Sequence, residues 1–211
     1  NFAYIGINHN SPGVLGDRRV REAIAYAVDR KDIVSRVYAS NAQAVDVPIP
    51  PDAWYYDSDL RVYDYQLLTA QQLLEEAGWK DSNGDGILDK NQGDDIIDLS
   101  FTINANMDNI MQKEALNLIV EQLKEVGIDA KLRLLSWDDY TKALEEGDFE
   151  AVLGECYLDI STDLRPMFHS SQIGNGLNNY MAYSSPKLDE LLDKVPIIQD
   201  VQEFKDTYKE I

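Results

Sequence analysis

Two alternating apolar segments, separated by one long amphipathic segment, lie in the middle of the chain, and this order constrains the fold more than any other feature. Residues 97–103 (IDLSFTI) and 128–135 (IDAKLRLL) place apolar side chains at every second position, which is typical of strands with one buried face. Residues 109–126 repeat apolar side chains at helical spacing, and Gly127 is placed to end that helix. Its predicted inward positions are Met111, Ala115, Leu118, Ile119 and Leu123. Strand, helix and strand in this order predict a right-handed βαβ unit with parallel strands.

Helices on either side of this unit are predicted from their first residues, since a side-chain oxygen just before a helix accepts a backbone N–H of the first turn. The predicted helices begin or restart at Asp17, Asp29, Asp64, Ser136, Ser185-Pro186 and Asp200. Residues 149–154 (FEAVLG) form a further short apolar strand. The prolines of AVDVPIPPDAWYY exclude helix there and favour an extended crossing segment. The predicted fold class is therefore α/β, with a mixed sheet flanked by helices.

The charge balance restricts the partners of the chain. It has 19 basic and 38 acidic residues, a formal net charge of −19, and such a surface repels phosphate backbones and anionic lipid headgroups. No apolar run approaches the roughly 20 residues of a membrane span. Residues 1–10 lack the basic start and apolar centre of a signal peptide. We therefore expect no nucleic-acid partner and no direct membrane insertion by this segment.

The chain lacks the residue patterns of common catalytic sites. Its single cysteine, Cys156, permits no internal disulfide and has no histidine near it in sequence. His9 and His169 lie in distant segments without metal-ligand spacing, and Ser170 beside His169 lacks the elbow sequence of a hydrolase. The GDG at 84–86 is not followed by the residues of a phosphate-binding loop. We therefore predict no catalytic residue, no cofactor and no enzymatic activity.

Residues 81–92 (DSNGDGILDKNQ) partly match a calcium-binding loop, in which alternate oxygens encircle the ion and Gly86 permits the sharp turn. The candidate ligands are Asp81, Asn83, Asp85 and Asp89. The twelfth position, normally a bidentate glutamate, is Gln92, which removes one charge and two strong ligands. A turn between extended segments without a metal is the simpler interpretation. A calcium-dependent enzyme or adhesion domain is the alternative that rests on this loop.

Several blocks of the sequence together resemble one protein family. They are YIGIN (4–8), DRRVREAIAYAVDRKDIV (17–34), Pro50-Pro51 with Trp54, YDYQLLTAQQLLEEAGW (63–79), DSNGDGILD (81–89), WDDYTKALEEGDFEAVLG (137–154) and LNNYMAYSSPKLDELL (177–192). In this order and spacing they resemble the peptide- and nickel-type solute-binding proteins of ABC transporters, nearly from end to end.

The resemblance implies a periplasmic-binding-protein-like fold in which two lobes close on a ligand. It implies that residues 1–211 form a single lobe, the second large lobe, and that the first lobe and the closing C-terminal segment are absent. The expected function is capture of peptides for uptake by a bacterial ABC transporter, with the permease subunits and the missing N-terminal lobe as partners. The expected location is the periplasm or, as a lipoprotein, the cell surface. The same scaffold binding nickel chelate, haem or oligosaccharide is the alternative.

The loop after residues 149–154 is the first candidate ligand site, because ligands of open α/β sheets bind beyond the carboxyl ends of strands. In the family an aspartate of this loop holds the α-amino group of the peptide. By resemblance that role falls on Asp159, with Asp163 second, and Glu155 stands where the family usually has tryptophan. The alternative is that both aspartates only cap turns or lie in solvent.

A second group of candidates combines amide and aromatic side chains, which suit peptide ligands. Asn178 falls on a family position close to the cleft, with Tyr180 and Tyr183 after it, and Trp54 follows the proline-rich crossing. The alternative is that the tyrosines pack in the core and that Trp54 only braces the lobes. The predicted ligand-binding residues are thus Trp54, Glu155, Asp159, Asp163, Asn178, Tyr180 and Tyr183.

Overall fold

A four-stranded mixed sheet forms the centre of the fold. The computed structural model describes residues 1–60, 63–158, 163–174 and 176–211. The strands are β1 (Phe2–Ile7), β2 (Asp89–Gln92), β3 (Asp95–Asp98), β4 (Ser100–Asn106), β5 (Asp129–Leu135) and β6 (Ala151–Cys156). The helices are α1 (Arg18–Ala27), α2 (Arg30–Arg36), α3 (Leu67–Glu76), α4 (Ile110–Lys124), α5 (Trp137–Glu146), α6 (Arg165–Phe168), α7 (Pro186–Lys194) and α8 (Val201–Glu210).

The order of strands in this sheet is β1-β6-β4-β5. Strand β4 runs parallel to both β5 and β6, whereas β1 runs antiparallel to β6 at the edge. Strands β2 and β3 form a separate antiparallel hairpin. The predicted parallel strands joined by the long helix are therefore confirmed, as is the α/β class with a mixed sheet.

Helices cover both faces of the sheet because successive residues of a strand point to opposite sides. Ala151 and Leu153 of β6 pack in the main core with α1, α3 and α4. Val152 packs on the other face, against Tyr140 of α5 and against Phe149. Fully buried side chains of the main core include Leu15, Leu74, Leu99, Ile103, Leu116, Leu123 and Ile128. Within the described ranges, no helix is both long enough and apolar enough to cross a membrane.

Most predicted helix starts are confirmed, since the side chain before the helix accepts a backbone N–H of the first turn. The confirmed caps are Asp17, Asp29, Ser136, Ser185 and Asp200. A bond of this kind stabilises a helix by about 1 kcal/mol. The predicted stop after the long helix is also confirmed. Gly127 has φ +79°, a backbone conformation that residues other than glycine rarely adopt.

The strand predicted over 97–103 is two strands in the structure. Ile97 belongs to β3, and the central strand covers Ser100–Asn106. The alternation could not show this boundary because Ile97 and Leu99 both pack against the main core, while the backbone changes its pairing partner between them. The sequence pattern did not predict the end of this strand at Asn106. Asn104 is 1% exposed, and a buried amide interrupts the apolar alternation by which a strand is recognised.

The predicted start of α3 at Asp64 is wrong. Asp64 forms an ion pair with Lys31, with 3.2 Å between the charged atoms. The helix begins at Leu67, after the backbone N–H of Gln66 has donated to the carbonyl of Tyr26. The chain is therefore held by α1 and α2 before it turns into the helix, which local capping rules could not show.

The predicted inward position of Met111 in α4 is also wrong, because Met111 is exposed. Gln112 faces inward in the first turn instead, and Leu116 follows one turn later. A polar side chain at an inward position could not be read from apolar periodicity. Its partner lies far away in the sequence, as described below.

The proline-rich segment contains no helix or strand, so the predicted exclusion of helix is confirmed, but it is not extended throughout. The N–H of Ala53 donates to the carbonyl of Pro50 at 2.9 Å, and the N–H of Tyr56 donates to that of Ala53 at 3.0 Å. These consecutive turns place Tyr55 in a second apolar cluster with the C-terminal helices. Its buried members are Ile49, Tyr55, Leu164, Leu192 and Tyr208.

Candidate functional site

A cleft opens at the edge of the sheet where the parallel strands β4 and β6 both reach their carboxyl ends. Its volume is about 810 Å³, and its walls include the first turns of α4 and α5 and the proline-rich segment. Its lining side chains include Tyr4, Asn106, Asn109, Gln112, Trp137, Tyr140, Glu155, Cys156, Asp163, Asn178 and Tyr180. Ligands of open α/β sheets bind at this edge, since loops and helix N-termini converge there.

The floor of the cleft is built from tyrosines around Gly154. Tyr4 of β1 pairs in register with Gly154 of β6. The hydroxyl of Tyr140 donates to the carbonyl of Leu153 at 3.0 Å, which fixes α5 against the strand. Burial raises the pKa of Tyr4 to about 12, with smaller contributions from Cys156 and Tyr180. The pKa of the Tyr140 hydroxyl is raised for the same main reason, so the floor stays uncharged at neutral pH.

Glu155 lies at the end of β6, opposite the first turn of α4. Its carboxylate accepts hydrogen bonds from Asn109 Nδ2 and Gln112 Nε2, both at 3.3 Å, and from the side-chain amide of Asn1. The first turn of a helix favours negative charge because its backbone N–H groups are unpaired there. Glu155 is otherwise exposed to the cleft.

The environment of the cysteine in the cleft favours its protonated form. Cys156 is half-buried, and burial raises the pKa of its thiol. Its sulfur lies 3.8 Å from that of Met167. A raised pKa keeps the thiol protonated at neutral pH, the opposite of what nucleophilic catalysis requires.

Of the two aspartates predicted to contact the ligand amine, the structure describes one. Asp159, the first candidate for the amine contact, lies outside the described residues. Asp163 lines the cleft, but its carboxylate accepts from the guanidinium of Arg165 at 2.8 Å and from the backbone N–H of the same residue at 3.1 Å. The Arg165 hydrogen bonds hold the pKa of Asp163 below its ordinary value. This arrangement agrees with the turn-capping alternative for Asp163.

The remaining predicted residues are divided between the cleft and its surroundings. Asn178 and Tyr180 line the cleft. Tyr183 lines a neighbouring cavity of about 630 Å³ beside β1, where its ring and that of His9 form a T-shaped pair. Trp54 is exposed and stacks on Phe204 of α8, with 5.1 Å between the ring centroids. The structure therefore brings Glu155, Asp163, Asn178 and Tyr180 together and leaves Tyr183 and Trp54 apart from them.

Sequence reasoning missed Asn109, Gln112 and Trp137 as site residues. All three lie in or just before the first turn of a helix that follows a strand ending at the cleft. This position was the available signal, because the rule that directed attention to the loop after β6 applies equally to those after β4 and β5. A second signal was the polar residue Gln112 at an inward-facing position of α4.

Residues 81–92 bend on themselves through their own carboxylates. Asp81 accepts from the backbone N–H groups of Gly84 at 2.7 Å and Gly86 at 3.1 Å. The buried Asp89 accepts from the N–H and the hydroxyl of Ser82 at 2.7–2.8 Å. Among the residues that the structure describes, no group of three or more His, Cys, Asp or Glu is placed to hold a metal ion. The hydrogen bonds of Asp81 and Asp89 stabilise the turn, and the loop connects Lys80 to the hairpin of β2 and β3.

Comparison with known proteins gives a consistent match. The model of the bacterial extracellular solute-binding proteins, family 5 (middle), matches residues 1–176. The chain is 35% identical to the oligopeptide-binding protein AppA of Bacillus subtilis, over 100% of its own length and 38% of that protein. It is 29% identical to the heme-binding protein A of Haemophilus influenzae, over 100% of its length and 36% of that protein. The chain therefore spans less than two fifths of either relative.

The solved structure of AppA from Bacillus subtilis in complex with a nonapeptide superposes with a TM-score of 0.88. The two chains share 34% sequence identity in this comparison, which covers 100% of this chain and 41% of that one. The similarity extends over the whole sheet and the helices on both of its faces.

Proposed function

Because the chain belongs to the bacterial extracellular solute-binding proteins of family 5, we propose that it is one lobe of a two-lobe binding protein whose cleft takes up an extended peptide. Residues 1–211 would form the second large lobe as a single unit, closing on a first lobe from the same protein. Closure of the lobes would present the loaded protein to the permease subunits of an ABC transporter. This activity is transport and requires no chemical step by the chain. A lipid anchor on the cell surface is part of the same proposal.

The observation that carries this proposal is the cleft at the carboxyl ends of β4 and β6. Its volume of about 810 Å³ suits a ligand of several residues, and its walls combine aromatic rings with side-chain amides. The amide of Asn178 can donate and accept, and the Nδ2 group of Asn106 can donate, which suits the alternating N–H and C=O groups of a peptide backbone. Such contacts hold any extended peptide without strong demands on its side chains.

Exposed aromatic side chains at the cleft support the proposal that a second lobe forms its opposite wall. Trp137 is 57% exposed and Tyr157 is 86% exposed, although both line the cleft. Large aromatic groups bury much apolar area when covered, and exposed apolar patches on soluble proteins mark surfaces that bind a partner or ligand. We therefore propose that the peptide and the first lobe cover them together.

Within this cleft we propose Glu155, Asn178 and Tyr180 as ligand contacts. Asp163 would contribute mainly by fixing the turn with Arg165. Asp159 remains a proposed amine contact of the same loop. Tyr183 and Trp54 remain proposals that depend on how the first lobe approaches their side of the molecule.

Titration calorimetry of the full-length two-lobe protein tests this function, with a pentapeptide, nickel–histidine chelate, haem and mannohexaose as separate ligands. We expect the peptide to bind with micromolar or tighter affinity. Asn178→Ala should weaken it about fivefold, the effect of one hydrogen bond of about 1 kcal/mol. The exposed neighbour Leu177→Ala is the matched control. A wild-type protein that binds haem, nickel chelate or the sugar but no peptide would contradict the proposal.

A further inference from the structure

In the described part of the cleft, the acidic and basic side chains do not balance. Glu155 and Asp163 are the carboxylates that line its described part, and no lysine, arginine or histidine side chain lines that part. Asp163 is paired with Arg165, whose guanidinium lies 2.8 Å from the carboxylate. Glu155 has no cationic side chain among its described partners, which are amides. Among the side chains that the structure describes, the Glu155 carboxylate therefore has no cationic counterpart.

Glu155 is held in place without being neutralised. Asn109 and Gln112 of α4 both donate to its Oε2, and these amides carry no net charge. Gln112 is only 6% exposed, and its carbonyl Oε1 is buried with no hydrogen-bond partner. A buried acceptor without a partner is rare and destabilising, so the Gln112 amide serves Glu155 at the expense of its own carbonyl. The arrangement orients the carboxylate and leaves its charge free.

We propose that Glu155 is the subsite that binds the cationic side chain of a lysine or arginine in the ligand, separate from the amino-terminal contact proposed for Asp159. The inference rests on the proposed function, since it names the ligand group that this cleft selects. When the cleft closes, water leaves the carboxylate, and an unpaired charge away from water is strongly unfavourable. A ligand that carries a cation to this position removes that penalty and gains a charge-assisted hydrogen bond.

The test compares four pentapeptides on the full-length protein by calorimetry. One pair differs only in a free or acetylated amino terminus, and the other pair differs only in lysine or norleucine at one position. We expect the wild type to prefer lysine over norleucine by about tenfold or more. Glu155→Gln, which keeps the shape and an acceptor for both amides, should abolish that preference. It should leave any preference for the free amino terminus unchanged, and loss of the terminus preference alone would overturn the assignment.

Two control variants separate binding from structure. Asp163→Asn, which removes a carboxylate already paired with Arg165, should change the affinity for all four peptides by one common factor. Glu155→Asp keeps the charge and should keep part of the preference. If Glu155→Gln weakens all four peptides equally, or leaves the preference intact, the assignment of Glu155 is overturned while the proposed function stands. A wild type that binds none of the peptides contradicts the proposed function and this assignment together.

Discussion

The ring of Tyr4 lies directly over Gly154. A Cβ atom at position 154 would stand 2.6 Å from Cζ and 2.8 Å from the hydroxyl oxygen of Tyr4, closer than side-chain carbons approach other atoms. The two residues are opposite each other in the β1–β6 register. The missing side chain at position 154 therefore lets a phenol ring form the floor of the cleft.

Gly154→Ala should displace the Tyr4 ring and distort that floor. We expect a loss of about 1–3 kcal/mol in the free energy of unfolding, as for other added methyl groups in packed sites. Peptide affinity should fall as well, because the displaced ring enters the cleft. Urea unfolding followed by tryptophan fluorescence, together with peptide titration, measures both effects.

The Tyr4→Ala background provides the control for this substitution. With the ring removed, Gly154→Ala should destabilise the protein by less than about 0.5 kcal/mol, which gives a coupling of at least about 0.5 kcal/mol between the two positions. Equal losses in both backgrounds would show that the contact with Tyr4 is not the cause.

Asn8→Ala should destabilise the connection between β1 and β6. The side chain of Asn8 is 2% exposed, and its amide donates to the carbonyls of Gly147 at 3.0 Å and Phe149 at 2.9 Å. Removing it leaves both carbonyls without this donor, which costs about 2–4 kcal/mol. The exposed Asn10→Ala should change stability by less than about 0.5 kcal/mol. Equal effects of the two substitutions in urea unfolding would disprove this role for Asn8.

The sequence was sufficient for the parts of the fold that depend on local patterns. The βαβ unit follows from alternation and helical spacing, and Asp17 and Ser136 cap helices because of interactions within one turn. It was insufficient where a distant residue decides. Gln112 faces inward because Glu155, 43 positions away, accepts its hydrogen bond. Trp54 lies on Phe204 instead of in the cleft because two consecutive turns redirect the proline-rich segment.

Asp17→Ala should reduce stability by an amount that depends on pH. Hydrogen bonds from Arg19, foremost from its side chain, lower the pKa of Asp17 below its ordinary value. A lowered folded-state pKa means that the carboxylate contributes stability above its unfolded pKa of about 4, and that this contribution disappears as the pH falls through the folded value. The substitution should therefore cost about 1 kcal/mol at pH 7 and progressively less as the pH falls from the unfolded pKa through the lower folded pKa.

Asp17→Asn is the matched control for this effect. Asparagine still accepts from the backbone N–H of Arg19, so most of the capping should remain, while the pH-dependent part is lost. A difference between wild type and Asp17→Ala that stays constant from pH 7 to about pH 3 would contradict the role of the charge.

Residues 81–92 should depend on Asp89 for stability and show no micromolar calcium affinity in calorimetry. Asp89→Ala removes a buried carboxylate that accepts from Ser82 and should cost about 2–3 kcal/mol. Asp85→Ala, on the exposed side of the turn, should cost less than about 1 kcal/mol. Micromolar calcium binding that Asp85→Ala removes would instead establish the loop as a metal site.

A crystal structure of the full-length protein with a bound peptide tests the central claim most directly, because it locates the ligand. We predict an extended peptide in the cleft at the carboxyl ends of β4 and β6, with a cationic nitrogen about 2.7–2.9 Å from the carboxylate of Glu155. A peptide bound elsewhere, for example in the cavity beside β1 that Tyr183 lines, would contradict the account.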